Sequence, residues 1–243
     1  MHRFTALAVV PAVTAASLAG TTTVFDADFE AFTVGSPPPI GAASDRPFSI
    51  EPAAITTIEN AGSITGPALN TGNFMRIAER AASEAPNLLF DRGVGFNSGV
   101  VNIAFDLLLE VDENYSFNFR NTGNSAGSLL NMDIIFGTLV FQTADGQQAS
   151  TAVSGERLAF EIEIDLDAQL INASVNDIDV VTNLSTQDNE FGRLTFGFGF
   201  SGDNPDNANG VLQLDNLFVT QVPTPTTLGV LAAAGLIAPR RRR

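Results

Sequence analysis

Three groups of residues carry the chemistry this chain could perform. In the first, Glu163, Asp165 and Asp167 fall at every second position of one run, so a strand would place all three carboxylates on one face. Carboxylates brought together in this way can serve as general acid, base or nucleophile. The intervening Phe160, Ile162 and Ile164 give the same run a second meaning, a strand with an apolar face inward and a solvated acidic face outward, and this is the reading the alternation favours. The second group is the loop from Gly202 to Gly210, whose Asp203 and Asp206 sit among asparagines and offer oxygen ligands to a hard cation, without the regular spacing and closing glutamate of an EF-hand. The third is the alternation of Thr195, Gly197 and Gly199, where missing side chains would let a ligand or a neighbouring backbone approach a sheet.

Composition removes most other chemistries. Cysteine is absent, and the one histidine is His2, inside a segment expected to be cleaved, so thiolate chemistry, Ser-His-Asp catalysis and His- or Cys-ligated metal sites are excluded from the mature protein. All twelve basic residues are arginine. Setting both ends aside leaves seven arginines against all 27 carboxylates, a formal charge of −20, which repels phosphate backbones and argues against a nucleic-acid partner. No cofactor is demanded; so much acid makes a soluble, salt-tolerant surface, and its oxygens could also bind hard divalent cations.

Residues 1–19 have the form of a signal peptide: the positive start Met1-His2-Arg3, an apolar stretch from Phe4 to Ala16, and Ser17-Leu18-Ala19 as a small-x-small cleavage site. Residues 222–243 combine Pro223-Thr224-Pro225 with thirteen weakly polar or apolar residues, Thr226 to Ala238, then Pro239 and the cluster Arg240, Arg241, Arg242 and Arg243. Thirteen residues in a helix cover about 20 Å, short of a bilayer core of about 30 Å. The arginines favour the cytoplasmic side, so such a tail would hold an exported domain at the membrane transiently.

Between these ends, residues 20–221 read as one domain of about 200 residues, large enough for a core of its own. Its apolar period is two: Phe25, Ala27, Phe29 and Ala31; Tyr115, Phe117 and Phe119; Leu158 to Leu166; Leu194, Phe196, Phe198 and Phe200. Further strands are expected at 74–78, 87–91, 100–109, 134–142, 170–175, 177–181 and 211–220, with turn signals such as Asp145-Gly146. The stretch from Arg76 to Ala85 is the one place a helix would fit. Roughly a dozen strands predict an all-β, antiparallel two-sheet sandwich. Nineteen phenylalanines with one tyrosine and no tryptophan assign the aromatics to the core and count against a conventional sugar platform.

The tail, with its Pro-x-Pro, its short Gly/Ala/Leu-rich helix and its terminal arginines, resembles the PEP-CTERM sorting signal, departing from it at Thr224, where glutamate is usual, and at Pro239. That resemblance implies recognition by a membrane-embedded exosortase-like processing enzyme and an exported protein at the surface, or in the polysaccharide matrix, of a Gram-negative bacterium. The stretches 26–38 and 212–221 resemble the first and last strands of concanavalin-like and carbohydrate-binding jelly-roll domains, and 158–180 resembles a strand, turn and strand of a laminin-G-like sandwich. These imply a jelly roll that binds polysaccharide, with Glu30 and Asp215 at the positions where such modules place calcium ligands. Glu163 to Asp167 also resembles the E-x-D-x-E motif of concanavalin-fold endo-glucanases, which would make Glu163 a nucleophile and Asp165 the middle residue, with Asp167 in place of the acid/base glutamate. The expectation from the whole sequence is an exported, non-enzymatic β-sandwich; the alternative is a glycoside hydrolase using Glu163 and Asp167.

Overall fold

A computed structural model describes residues 20–50, 54–79, 87–111, 113–122, 128–151, 157–198 and 210–224. The expected signal peptide, the tail from Pro225 onward, and Gly199, Asp203 and Asp206 lie outside these residues.

Fifteen strands and no helix occur among the described residues. In chain order they are β1 (Thr22–Ala27), β2 (Ser49–Ile50), β3 (Ala54–Asn60), β4 (Asn73–Glu79), β5 (Asn87–Phe96), β6 (Val100–Leu109), β7 (Tyr115–Arg120), β8 (Ser128–Ile135), β9 (Thr138–Gln142), β10 (Gln147–Thr151), β11 (Arg157–Asp165), β12 (Leu170–Val175), β13 (Ile178–Ser185), β14 (Phe191–Phe198) and β15 (Val211–Val222). All pairings are antiparallel. An eight-stranded sheet runs β13-β12-β11-β6-β15-β4-β3, with β1 also pairing β15, and a seven-stranded sheet runs β10-β9-β8-β7-β14-β5-β2. The two pack face to face as the sandwich the alternation predicts.

The core lies between the sheets and is largely phenylalanine. Phe105 of the eight-stranded sheet stacks on Phe160 at 4.9 Å and meets Phe196 of the other sheet edge-on at 5.2 Å. Phe196 in turn meets Phe90 at 5.9 Å and Phe117 at 5.6 Å, so three aromatic rings converge on one side chain. The single tyrosine, Tyr115, is buried and shares its hydroxyl proton between the carbonyls of Val111 and Val211, which ties β7 to the start of β15.

Local signals misplaced several elements. Residues 76–79 are strand, not helix: β4 pairs with β3 on one side and β15 on the other, so ladder hydrogen bonds outweigh the helical propensity of this stretch. The run 134–142 is two strands, because Phe136 (φ 46°) and Gly137 (φ 76°) form a tight left-handed hairpin turn between Ile135 and Thr138. Likewise β1 ends at Ala27. Phe29 takes φ 57°, which turns the chain while keeping its ring buried, and Ala31 is exposed.

On β15 the register shifts between Asp215 and Phe218, where Asn216 takes φ 52°. Before the shift Leu212 and Leu214 face the core; after it Leu217 and Val219 do. The bulge thus turns Asp215 and Phe218 together onto the outer face of the eight-stranded sheet.

Candidate functional site

That outer face has two halves. Toward one end it is covered by the segment 61–72, which Gln213 holds down: its Oε1 accepts the Leu69 N–H at 2.7 Å, and its Nε2 donates to the Pro67 carbonyl at 2.9 Å and to Glu110 Oε1 at 2.7 Å. Beneath the segment Leu69, Phe74 and Leu108 form a small second core. Toward the other end the face is open, forming a groove of about 380 Å³.

Strand register sets out the groove in rows. One row runs Asn172, Glu163, Asn102 and Thr220 across β12, β11, β6 and β15; the next runs Asp179, Ser174, Glu161, Ala104 and Phe218, beginning on β13. Ala104, between Glu161 and Phe218, leaves the floor low. Phe218 is 44% exposed in a chain most of whose described aromatics fill the interior, although Phe48 and Phe136 are exposed too. Asn172 is fixed at both ends of its amide: Oδ1 accepts the Asn183 N–H at 2.9 Å and Nδ2 donates to Glu163 Oε1 at 3.2 Å. An apolar ring, two amides, hydroxyls and carboxylates on an open face have the composition needed to hold a polar ring ligand with an apolar side.

The carboxylates singled out by spacing separate. Glu163 lies in the groove, but Asp165 uses Oδ1 to accept the N–H groups of Asp167 (3.0 Å) and Ala168 (2.8 Å), closing the turn from β11 to β12. Asp167 lies beyond the end of the strand, and its Oδ2 accepts the Gly99 N–H at 3.0 Å and the Thr224 hydroxyl. The acid nearest Glu163 on the open face is therefore Glu161, two residues before it. The structure corrects the strand-face placement of Asp167, for β11 stops at Asp165 and the chain turns there to reach β12.

Gly197 is buried in β14, paired with Ser116 and Asn87, while Thr195 is half-buried in the same strand, so these two belong to the seven-stranded sheet, away from the groove.

Asp215 is 2% exposed, which overturns the simplest expectation for a strand carboxylate, that it faces solvent. It stands directly opposite Asp106 in the ladder. Asp106 has its countercharge, accepting from Arg157 Nη2 at 2.5 Å and from Asn216 Nδ2 at 2.6 Å. Asp215 has none: its Oδ2 accepts from Asn70 Nδ2, and its Oδ1, like Asn70 Oδ1, has no hydrogen-bond partner among the described residues. Burial pushes its carboxyl up to about 6, against the lowering effect of the Asn216 N–H and the Asn70 amide and with further upward pressure from the charges of Asp106 and Glu30. Glu30 reaches the same neighbourhood from the segment after β1, its Oε1 accepting the Asn73 N–H at 3.1 Å. A buried, unpartnered carboxylate oxygen beside a buried, unpartnered amide oxygen fits a hard cation, which prefers such ligands. Among the described residues no three carboxylate or imidazole groups converge, so an ion here would take part of its shell from carbonyl oxygens such as Asn70 Oδ1.

Sequence reading missed Phe218, Asn102, Asn172 and Thr220. One signal was present: apolar residues at 212, 214, 217 and 219 change phase by one, which a bulge near Asn216 explains and which turns Phe218 outward.

No family model matches the chain, and no curated protein matches it in sequence. Among solved structures the chain is similar to a cellulose-induced protein, Cip1, with a TM-score of 0.54 at 12% identity, covering 80% of this chain and 96% of that one. It is similar to the carbohydrate esterase vb_24B_21 from the Shiga toxin-encoding bacteriophage phi24B, with a TM-score of 0.53 at 11% identity over 84% of this chain and 100% of that one. A sialidase aligns with a TM-score of 0.50 at 11% identity over 68% of this chain, which spans only 17% of the sialidase. At these identities the likeness is one of fold, and the fold is the antiparallel jelly-roll β-sandwich.

Proposed function

We propose that this chain is an exported, non-enzymatic β-sandwich that binds polysaccharide along the outer face of its eight-stranded sheet. The observation that carries the reading is the groove in which Phe218 stands exposed beside Asn102, Asn172 and Thr220. A pyranose ring presents an apolar C–H face and a rim of hydroxyls; the ring of Phe218 suits the first, and the amides and the hydroxyl suit the second. The non-enzymatic part is supported by the bonds that engage both carboxylates, Asp165 with the N–H groups of the turn and Asp167 with the Gly99 N–H and the Thr224 hydroxyl. The jelly-roll fold shared with a carbohydrate esterase and a sialidase is in keeping with a glycan ligand. Calcium held by Asp215, Asn70 and Glu30 is the ion of this reading, and it would fix the covering segment 61–72 to β15.

Affinity electrophoresis of the full-length protein through gels containing extracellular polysaccharides tests the binding. Retardation by at least one polysaccharide is expected, with Phe218→Ala migrating freely while keeping the wild-type melting midpoint. Equal retardation of the two would remove the groove from the site.

The delivery part of the proposal is that residues 222–243 act as a PEP-CTERM-like signal processed by an exosortase-like enzyme, leaving the domain at the cell surface or in the matrix. It is supported by the order of Pro223-Thr224-Pro225, hydrophobic stretch and Arg240 to Arg243. Fractionation of cells making the intact chain or one lacking Pro223 to Arg243, with mass spectrometry of the termini, is expected to find only the intact chain's product cell-associated, with both ends trimmed. Cytosolic protein retaining Met1 and Arg243 would sink it.

A further inference from the structure

The groove carries a charge pattern that narrows its ligand, an inference resting on the glycan-binding reading above. Glu161 and Glu163 of β11 and Asp179 of β13 all line it, and no arginine does. The arginines of the described residues are engaged elsewhere: Arg46 with Asp45, Arg76 with Glu110, Arg92 with the Val24 carbonyl, Arg120 with Asn118, Arg157 with Asp106 and Arg193 with Asp91. Arg157 is the one that shares β11 and its outer face with the two glutamates, and it is held at the far end of that strand by Asp106. Among the described residues Glu161 and Glu163 thus form no ion pair, and Glu163 accepts a single hydrogen bond, from Asn172.

A neutral sugar lying over Phe218 would offer these carboxylates only uncharged hydroxyl donors, and a uronic or sulfated glycan would meet them with like charge, as well as the −20 of the domain. A glycan bearing free amines does neither. Its ammonium groups can donate to Glu161 and Glu163, whose Cα atoms lie about 6.5 Å apart at two residues along a strand, while its ring stacks on Phe218, two row positions across from Glu161 with Ala104 between. We infer that the groove of β11, β6 and β15 selects cationic, amine-bearing polysaccharide: Glu161 and Glu163 take the ammonium groups and Phe218 takes the ring.

The test is calorimetric titration of the full-length protein at pH 6, where sugar amines are protonated, with a β-1,4-linked glucosamine oligomer, its N-acetylated counterpart, a polyuronate and poly-lysine. The glucosamine oligomer is expected to bind at least about tenfold more tightly than the N-acetylated one, with a preference that fades as salt rises. Glu161→Gln with Glu163→Gln is expected to bring the two within about twofold of each other, the loss corresponding to two exposed charge pairs. Asp133→Asn with Asp145→Asn removes the same charge from the opposite sheet and from the turn between its strands β9 and β10, and is expected to leave the preference intact. Poly-lysine binding as tight as the amino sugar, lowered equally by both double variants, would make the attraction a matter of overall charge and overturn the inference. Equal or tighter binding of the N-acetylated oligomer or the polyuronate would overturn the inference while leaving a glycan-binding groove. Failure of every glycan to bind would overturn the glycan-binding reading itself, and this inference with it.

Discussion

Phe196→Ala is expected to lower the unfolding free energy of the domain by about 3–5 kcal/mol, the range for emptying a buried aromatic site. The ring is 1% exposed and sits edge-on to Phe90, Phe105 and Phe117, so truncation removes three aromatic contacts as well as the buried area. Phe105 belongs to one sheet and the other three rings to the opposite one, and a cavity here therefore weakens the joint between the sheets. In a domain of about 200 residues each kcal/mol moves the melting midpoint by about 2–4 °C, so the variant should melt roughly 10 °C lower. Denaturant unfolding checks the mechanism: the midpoint should fall with the slope unchanged. A loss below about 1 kcal/mol would mean that the sheets are not joined through this cluster.

Calcium is expected to raise the melting midpoint of the wild-type protein, and to reverse its dependence on pH in a way that requires Asp215. In chelator, the folded state holds a proton on Asp215 up to about pH 6, while the unfolded chain releases it in the ordinary aspartate range. The folded state binds more protons between those two values, so stability falls as pH rises through that window and stays low above it. An ion coordinated by Asp215 requires the ionised carboxylate and converts this liability into a gain that grows over the same window. Calcium at a hundred times its dissociation constant contributes about 2.7 kcal/mol, or about 5–10 °C for a domain of this size. Asp215→Asn should be insensitive to calcium and should lack this part of the pH dependence when subtracted from wild type. No shift at pH 7.5 in millimolar calcium, or an equal shift in Asp215→Asn, would remove the ion from the account. Glu30→Gln should weaken the calcium response without altering the behaviour in chelator as strongly, because Glu30 is exposed and contributes charge from the rim.

The two glutamates of the groove show what pattern can and cannot disclose. Period two placed Glu161 and Glu163 outward correctly, because a strand with one buried face has no other way to arrange Leu158, Phe160, Ile162 and Ile164. It placed Asp165 and Asp167 on that face too, yet the end of a strand is set by where its partners stop. Asp165 pairs with Val100, the first residue of β6, and Leu170, the first of β12, so Asp167 falls past the last pairing and serves the turn. Gly197 illustrates the same limit: its position in a strand was legible, but its burial depends on elements distant in the chain.

By itself the sequence determined the class of fold, the identity of most core residues and the absence of thiol chemistry, because a two-residue apolar period, a surplus of phenylalanine and the lack of cysteine are local or compositional facts. Tertiary structure alone decided that Asp215 is buried, that Asn70 and Glu30 are drawn toward it, and that Phe218 meets Glu161 across β6. The covering segment 61–72 and the strand β15 lie more than 140 residues apart along the chain where Leu69 meets Gln213 and Asn70 meets Asp215. Ladder register and one bulge carry that information, and both arise from pairing between distant strands, which no short window of residues contains.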